Sequence, residues 1–195
     1  WFRLGNLFDF QNGYAFKSDW FKDNGIRLLR NKNIGIGEII WEDVARIPSH
    51  YKSEFERFSL NQGDLVLSLD RPIISSGLKL SFIRQKDLPA LLLQRVARVK
   101  PLTNIINLHY LYYWFLSKYF LNIIDPGRSL GVPHISTTQL KKLVIALPPI
   151  DEQKRIILKL NELMVFCNHL ETQIKESKEN VDMLIQSILQ EAFTA

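Results

Sequence analysis

The chain has 195 residues, 46% of them hydrophobic and 23% charged, with a formal net charge of +5, four histidines and one cysteine. That length buries a real core and leaves room for one domain plus an appendage, and a single cysteine excludes a disulfide framework within the chain. No apolar run reaches the ~18 residues of a membrane span, and Trp1-Phe2-Arg3-Leu4 is no secretory signal. A cytoplasmic protein with no membrane partner is expected, and a start on Trp rather than Met suggests that a leader or tag, or a longer upstream part, is missing from this numbering.

Short apolar runs rich in branched residues predict strands over 26–29, 38–41, 64–69, 78–83 and 91–99. Turns fall at Asn24-Gly25, Asn61-Gln62-Gly63-Asp64 and Ser75-Ser76-Gly77, and Gly35-Ile36-Gly37 signals no more than another turn. Gln94, Arg95, Ala97 and Arg98 interrupt the last run, so its exposed face is expected to be basic. Residues 109–124 predict an aromatic-rich helix stopped by Asp125-Pro126-Gly127. Its rings cover nearly the whole circumference, the spacing of a core helix rather than of a base-stacking platform. Ser136-Thr137-Thr138-Gln139 matches a capping box ahead of a short helix, and 144–147 reads as a final strand. Helices do not alternate with strands, so a mixed α/β body of the α+β type fits better than a βαβ array.

At Leu147-Pro148-Pro149-Ile150 the chain changes character, and Asp151-Glu152-Gln153-Lys154-Arg155 opens a helix predicted to run from about 151 to 193. The positions Ile156, Leu160, Leu163, Cys167, Leu170, Ile174, Ser177, Val181, Leu184 and Ile188 step by four and three without a break. This is a coiled-coil register. At 1.5 Å per residue the helix is roughly 60 Å long, more than one small domain covers. It therefore calls for a partner helix; packing along its own body is the alternative. Ile157, Met164 and Ile185 widen the stripe at both ends, which points to contacts beyond one helix. On that stripe Cys167 is expected to be a small buried hydrophobe. The division is a body over 1–148 and a long helix over 149–195.

Residues 1–150 hold 20 Lys and Arg against 12 Asp and Glu, a net +8, whereas 151–195 hold 5 against 8, a net −3. A basic body on a mildly acidic helix fits a body that meets a polyanion and a helix that meets protein. A solvated basic surface without a ligand is the alternative on charge alone. No catalytic constellation stands out. His50, His109, His134 and His169 are scattered, and Cys167 and His169, two apart on a helix, face different ways. The carboxylates show no acid–base spacing, and G-x-S-x-G, P-loop and dinucleotide fingerprints are missing. Neither a metal nor a cofactor is expected.

What remains is recognition chemistry. Arg30, Asn31, Lys32 and Asn33 put two cations and two amides on one loop edge, groups suited to phosphates and base edges. Arg71, Ser75, Ser76 and Lys79 form a second edge, and Arg128, His134 and Ser136 a third. Lys17 completes the candidate DNA-binding set.

The order of these features resembles the specificity subunit of type I restriction-modification systems. The residues that carry the likeness are Trp1, Leu4, Gly5, Phe10 and Asn12 to Ser18; Arg30-Asn31-Lys32-Asn33-Ile34; Gly63-Asp64-Leu65-Val66-Leu67-Ser68; the stretch 131–143; and Leu147-Pro148-Pro149-Ile150-Asp151-Glu152-Gln153-Lys154-Arg155-Ile156 with the long helix. It covers essentially the whole chain, and the Leu-Pro-Pro-x-x-Glu-Gln seam is its most specific motif. The resemblance implies a target recognition domain that reads one half of a bipartite site in double-stranded DNA. It implies a non-catalytic subunit without a cofactor of its own, which positions methyltransferase subunits carrying S-adenosylmethionine and, indirectly, a restriction subunit. Family members usually hold two recognition domains, each followed by a helix, and the two helices pair antiparallel as a ruler. One domain and one helix then imply half of a longer subunit, or a half-subunit that forms a homodimer through the helix. A coiled-coil assembly protein with a nonspecifically basic body, and the recognition portion of a fused restriction-methylation enzyme, stay open as other classes.

Overall fold

The computed structural model describes residues 1–74, 77–124 and 134–194. The chain begins with β1 (Phe2–Arg3), the single turn α1 (Leu4–Leu7), β2 (Phe8–Asn12), β3 (Ile26–Leu29) and β4 (Ala45–Ile47). Next come β5 (Leu65–Ser68), β6 (Ile73–Ile74), β7 (Gly77–Leu78), β8 (Leu80–Phe82), β9 (Ala90–Leu92) and β10 (Val96–Pro101). Then follow α2 (Leu108–Leu116), α3 (Lys118–Ile124), α4 (Thr137–Lys142), β11 (Val144–Ile145) and the long α5 (Ile150–Thr194). The body is mixed α/β of the α+β type, as its sequence pattern indicates.

Its centre is a four-stranded antiparallel sheet in the order β2-β10-β5-β8. A three-stranded sheet β4-β3-β9 stands beside it, antiparallel at β3–β4 and parallel at β3–β9. Leu4, Phe8, Phe10, Leu65, Leu67 and Val99 pack on Leu111, Phe115 and Phe120 of α2 and α3, with the Phe115 and Phe120 rings edge to face at 4.7 Å. Val66 and Val96 point the other way, into a second core with Leu29, Ile34 and Leu92. Both faces of β5 and β10 are thus covered, which is why their sequences read as nearly continuous apolar runs. Gly13 lets the end of β2 cross the Leu92–Leu93 backbone, where a Cβ would stand 2.2 Å from the Leu93 carbonyl oxygen.

Five sequence expectations are corrected. Residues 38–41 form no strand; Ile39 makes only an isolated bridge to Ile34, because the backbone there closes a turn from Gly35 to Glu38. The run 78–83 divides at Lys79, and 91–99 divides at a turn over Gln94 and Arg95 that separates β9 from β10. Arg98 does not lie on an exposed basic face: it is 1% exposed and donates to Gln11 Oε1, to Asp64 Oδ2 at 3.1 Å and to the Ser59 and Arg57 carbonyls. The aromatic helix breaks at Ser117, whose hydroxyl donates to the Trp114 carbonyl at 2.6 Å and accepts from Phe120 N–H at 3.3 Å. The capping box holds, with Ser136 Oγ accepting from Gln139 N–H and Gln139 Oε1 from Ser136 N–H.

The Pro-Pro seam ends in a buried amide. Residues Trp1–Gln153 cluster as one unit and the remainder of the long helix as another. Within the first unit Gln153 is wholly buried; its Nε2 donates to the Ile105 and Pro148 carbonyls, each at 2.9 Å, and its Oε1 accepts from Asn107 N–H at 2.8 Å. This one side chain therefore fastens the first helical turn to the segment ahead of α2, and the seam motif needs glutamine for its paired donor and acceptor. Gln153→Ala removes three part-buried hydrogen bonds and is expected to lower stability by about 2–3 kcal/mol in urea denaturation; a loss under about 0.5 kcal/mol would contradict this role.

Candidate nucleic-acid interface

Asp70 leaves the sheet just after β5 with its side chain only 13% exposed. Its Oδ2 accepts from Arg95 Nη1 at 2.9 Å, and its Oδ1 lies 2.9 Å from His134 Nδ1. The backbone follows the same plan: Leu69 N–H donates to the Arg95 carbonyl and Ile135 N–H to the Leu69 carbonyl, each at 2.9 Å. The Asp70 carbonyl accepts from Ser68 Oγ at 2.7 Å and, at the outer limit of a hydrogen bond, from Asn31 Nδ2 at 3.5 Å. Described residues of the first and third loop edges, Asn31 and His134, thus meet at Asp70, which directly precedes Arg71 of the second. Beside it opens a cleft of about 540 Å³ lined by Asn12, Gln94, Arg95, His134, Ser136, Thr137 and Thr138. Asn12 Nδ2 donates to Thr137 Oγ1 at 3.3 Å across its floor.

The candidate residues divide by what already holds them. Asn31, Lys32, Arg71 and His134 present polar groups at the surface. Lys32 and Arg30 both pair with Asp43, and Arg30 Nη2 lies 2.7 Å from its Oδ1. Asn33 is buried; its Nδ2 donates to the Ile40 and Asp43 carbonyls at 3.0 Å and its Oδ1 accepts from Arg30 N–H at 3.2 Å. It closes the turn and offers no free edge to a base. Lys79 is also buried, which pushes its ammonium below the ordinary value; Asp70 opposes that shift and Arg71 adds to it. Ser136 is engaged as the cap of α4. Lys17 lies apart from Asp70, its ammonium 5.9 Å over the Trp20 ring. Ser75, Ser76 and Arg128 fall outside the described residues.

Sequence reasoning left Asn12, Gln94 and Arg95 out of the site and gave Asp70, beside Arg71 on the second edge, no role of its own. The available signal was the polar pair Gln94-Arg95 inside an apolar run, which marks a turn more readily than a strand face.

On α5, Leu163, Leu170, Ile174, Val181, Leu184 and Ile188 are 40–69% exposed. Ile156 and Leu160 are half-buried, and Cys167 is exposed rather than buried, because a lone helix offers the middle of its stripe no facing surface. Among the described residues no helix is long and apolar enough to cross a membrane, and no three His, Cys, Asp or Glu residues are grouped to hold a metal ion.

The sequence profile for the type I restriction modification DNA specificity domain matches residues 1–180. The type I restriction enzyme EcoAI specificity subunit of Escherichia coli is 52% identical over 179 residues, 92% of this chain and 30% of that protein. The MjaVIII specificity subunit of Methanocaldococcus jannaschii is 33% identical over 189 residues, 96% of this chain and 43% of its own. Among solved structures, a chain of a type I R-M system superposes with a TM-score of 0.73 at 21% identity, over 98% of this chain and 44% of that one. The HsdS subunit from Thermoanaerobacter tengcongensis gives 0.61 at 20% identity, over 99% and 44%. At those identities the superpositions speak for the fold. The chain spans less than half the length of each of these four relatives.

Asn33→Ala separates folding from recognition. It removes the three hydrogen bonds of a buried side chain and is expected to cost about 1–3 kcal/mol of stability, read from thermal or urea unfolding; unchanged stability would show that the side chain does not close the turn.

Proposed function

Because the chain belongs to the family of type I restriction modification DNA specificity domains, we propose that it is a sequence-specific DNA-recognition element that reads one half of a bipartite duplex target and makes or breaks no bonds itself. The observation that carries this reading is the convergence of Asn31, Arg95 and His134 on Asp70 beside an open cleft, in a body with a net charge of +8. Guanidinium and amide groups match the acceptors and donors of base edges in the major groove. Exposed cations such as Lys17 and Lys32 act on phosphates, where they set affinity and register rather than sequence.

Residues 1–148 act as the reader and 149–195 as the spacer. A 45-residue helix is about 67 Å long at 1.5 Å per residue, and its exposed stripe at Leu163, Leu170, Ile174, Val181, Leu184 and Ile188 is the seam for a second helix. Paired antiparallel, two such helices hold two readers a fixed distance apart and leave the intervening base pairs unread. Two identical copies related by a twofold axis would read a palindromic target. Methyltransferase subunits carrying S-adenosylmethionine are then positioned over the target, with the restriction subunit joining through them.

Two substitutions test the two halves of this reading. Lys32→Ala is expected to weaken DNA binding and lower the slope of log K against log salt by about 1; an unchanged slope removes Lys32 from the phosphate contacts. Leu170→Asp is expected to abolish self-association in sedimentation while the thermal transition of the body persists, and an intact dimer would refute the seam. Weak binding without sequence preference in the unaltered protein would favour a mere assembly role.

A further inference from the structure

Among the described residues only two that are not glycine adopt a positive φ, and both are arginines beside Asp70. Arg71, at φ 48°, follows it in the chain; Arg95, at φ 67°, is its ion-pair partner. L side chains are strained in this left-handed region, and glycine would relieve that strain. Strain of this kind gathers where a side chain must be aimed. Arg95 is also the exposed member of its pair, 68% open to solvent, and only its Nη1 is held, at 2.9 Å from Asp70 Oδ2. Its other N–H groups face no partner among the described hydrogen bonds, and the residue lines the cleft.

Resting on the reading of the chain as a DNA specificity element, we propose that Arg95 reads a guanine and that Asp70 is its positioning residue, holding Arg95 and His134 as one preset unit. A guanidinium grips the O6 and N7 acceptors of guanine through two parallel N–H groups, which requires its plane to be fixed. A carboxylate bonded to one Nη fixes that plane and removes rotamer freedom before DNA arrives. The same carboxylate repels a phosphate, so the pair suits a base edge, whose acceptors carry no full charge. The turn over Gln94 and Arg95 and the end of β5 are joined by the Leu69–Arg95 backbone bond, so the guanidinium is carried by the sheet itself.

The test is selection from a random-sequence duplex DNA library by the chain in complex with its methyltransferase partner. Unaltered protein is compared with Arg95→Gly, Arg95→Lys and Asp70→Asn. Glycine accepts the positive φ, which offsets part of the cost of leaving Asp70 with one partner fewer, so the cooperative thermal transition of Arg95→Gly should persist, and comparison with Arg95→Lys separates lost reading from lost folding. Unaltered protein should enrich a motif with a guanine that Arg95→Gly no longer prefers, the discrimination at that one position falling about 5- to 150-fold and the other positions and the gap staying unchanged. Arg95→Lys keeps the charge and loses the fork, and should not restore the guanine. Asp70→Asn should weaken the same preference while raising affinity for unrelated sequences, because a negative charge leaves the DNA-facing cleft. A motif that survives Arg95→Gly intact, or that Arg95→Lys restores, overturns the inference and leaves the specificity reading standing. If unaltered protein enriches no motif, that reading falls and the inference falls with it.

Discussion

A carboxylate largely withdrawn from water is costly unless cations or donors take the place of the lost hydration. Asp70 meets this condition with one basic side chain at each oxygen, Arg95 at Oδ2 and His134 at Oδ1. The consequence reaches well beyond the pair. The end of β5, the turn between β9 and β10 and the segment leading into α4 must all come together for the carboxylate to be satisfied, and the backbone bonds from Leu69 to Arg95 and from Ile135 to Leu69 fix them in the same arrangement. Side-chain electrostatics and main-chain pairing thus demand one geometry. The cleft, and every group that lines it, depends on that agreement.

Arg95 and Arg98 show how the body divides its positive charge. They stand three residues apart on one stretch of chain, yet Arg98 points beneath the sheet, where Gln11, Asp64 and the carbonyls of Arg57 and Ser59 take up its two terminal nitrogens. It ties β2 and the segment before β5 to the central strand β10. Removing one partner of such a buried pair leaves an uncompensated charge and is strongly destabilising. Arg95, on the turn, keeps donors open to solvent. Net charge alone would treat the two residues alike; their surroundings make one a structural tie and leave the other exposed beside the cleft. The same division separates Asn33, buried in its turn, from Asn31 and Lys32 on the outside of it.

The elements legible in the sequence were those governed by local periodicity or capping: the heptad helix, the Ser136 capping box, β3 and β5. Where tertiary bonding decides, the sequence was ambiguous. An apolar run from 91 to 99 looks like one strand because both β9 and β10 are buried, and only the polar pair Gln94-Arg95 betrays the turn. Ala45-Arg46-Ile47 is too short to signal a strand until β3 lies beside it. Ser117 breaks the aromatic helix by capping it, which no hydrophobic period reveals. At the site, the three basic edges could be named from their residue types, but not their meeting point. An acid in a basic loop reads as a surface counter-ion, and its burial and two partners exist only once distant segments are in contact. The expectation for Cys167 turned on a facing helix, which a single chain does not supply.

Reader and spacer require different chemistry, and the chain separates them at Gln153: a basic, cleft-bearing body on one side and a mildly acidic helix with an exposed apolar stripe on the other. The central claim is that this chain decides which DNA sequence its partners act on. The most direct measurement is genome-wide mapping of methylated adenines by single-molecule sequencing, in cells that express the partner methyltransferase with and without this chain. The account predicts a bipartite motif that appears only when the chain is present. Methylation with no motif, or with the same motif in its absence, would contradict it.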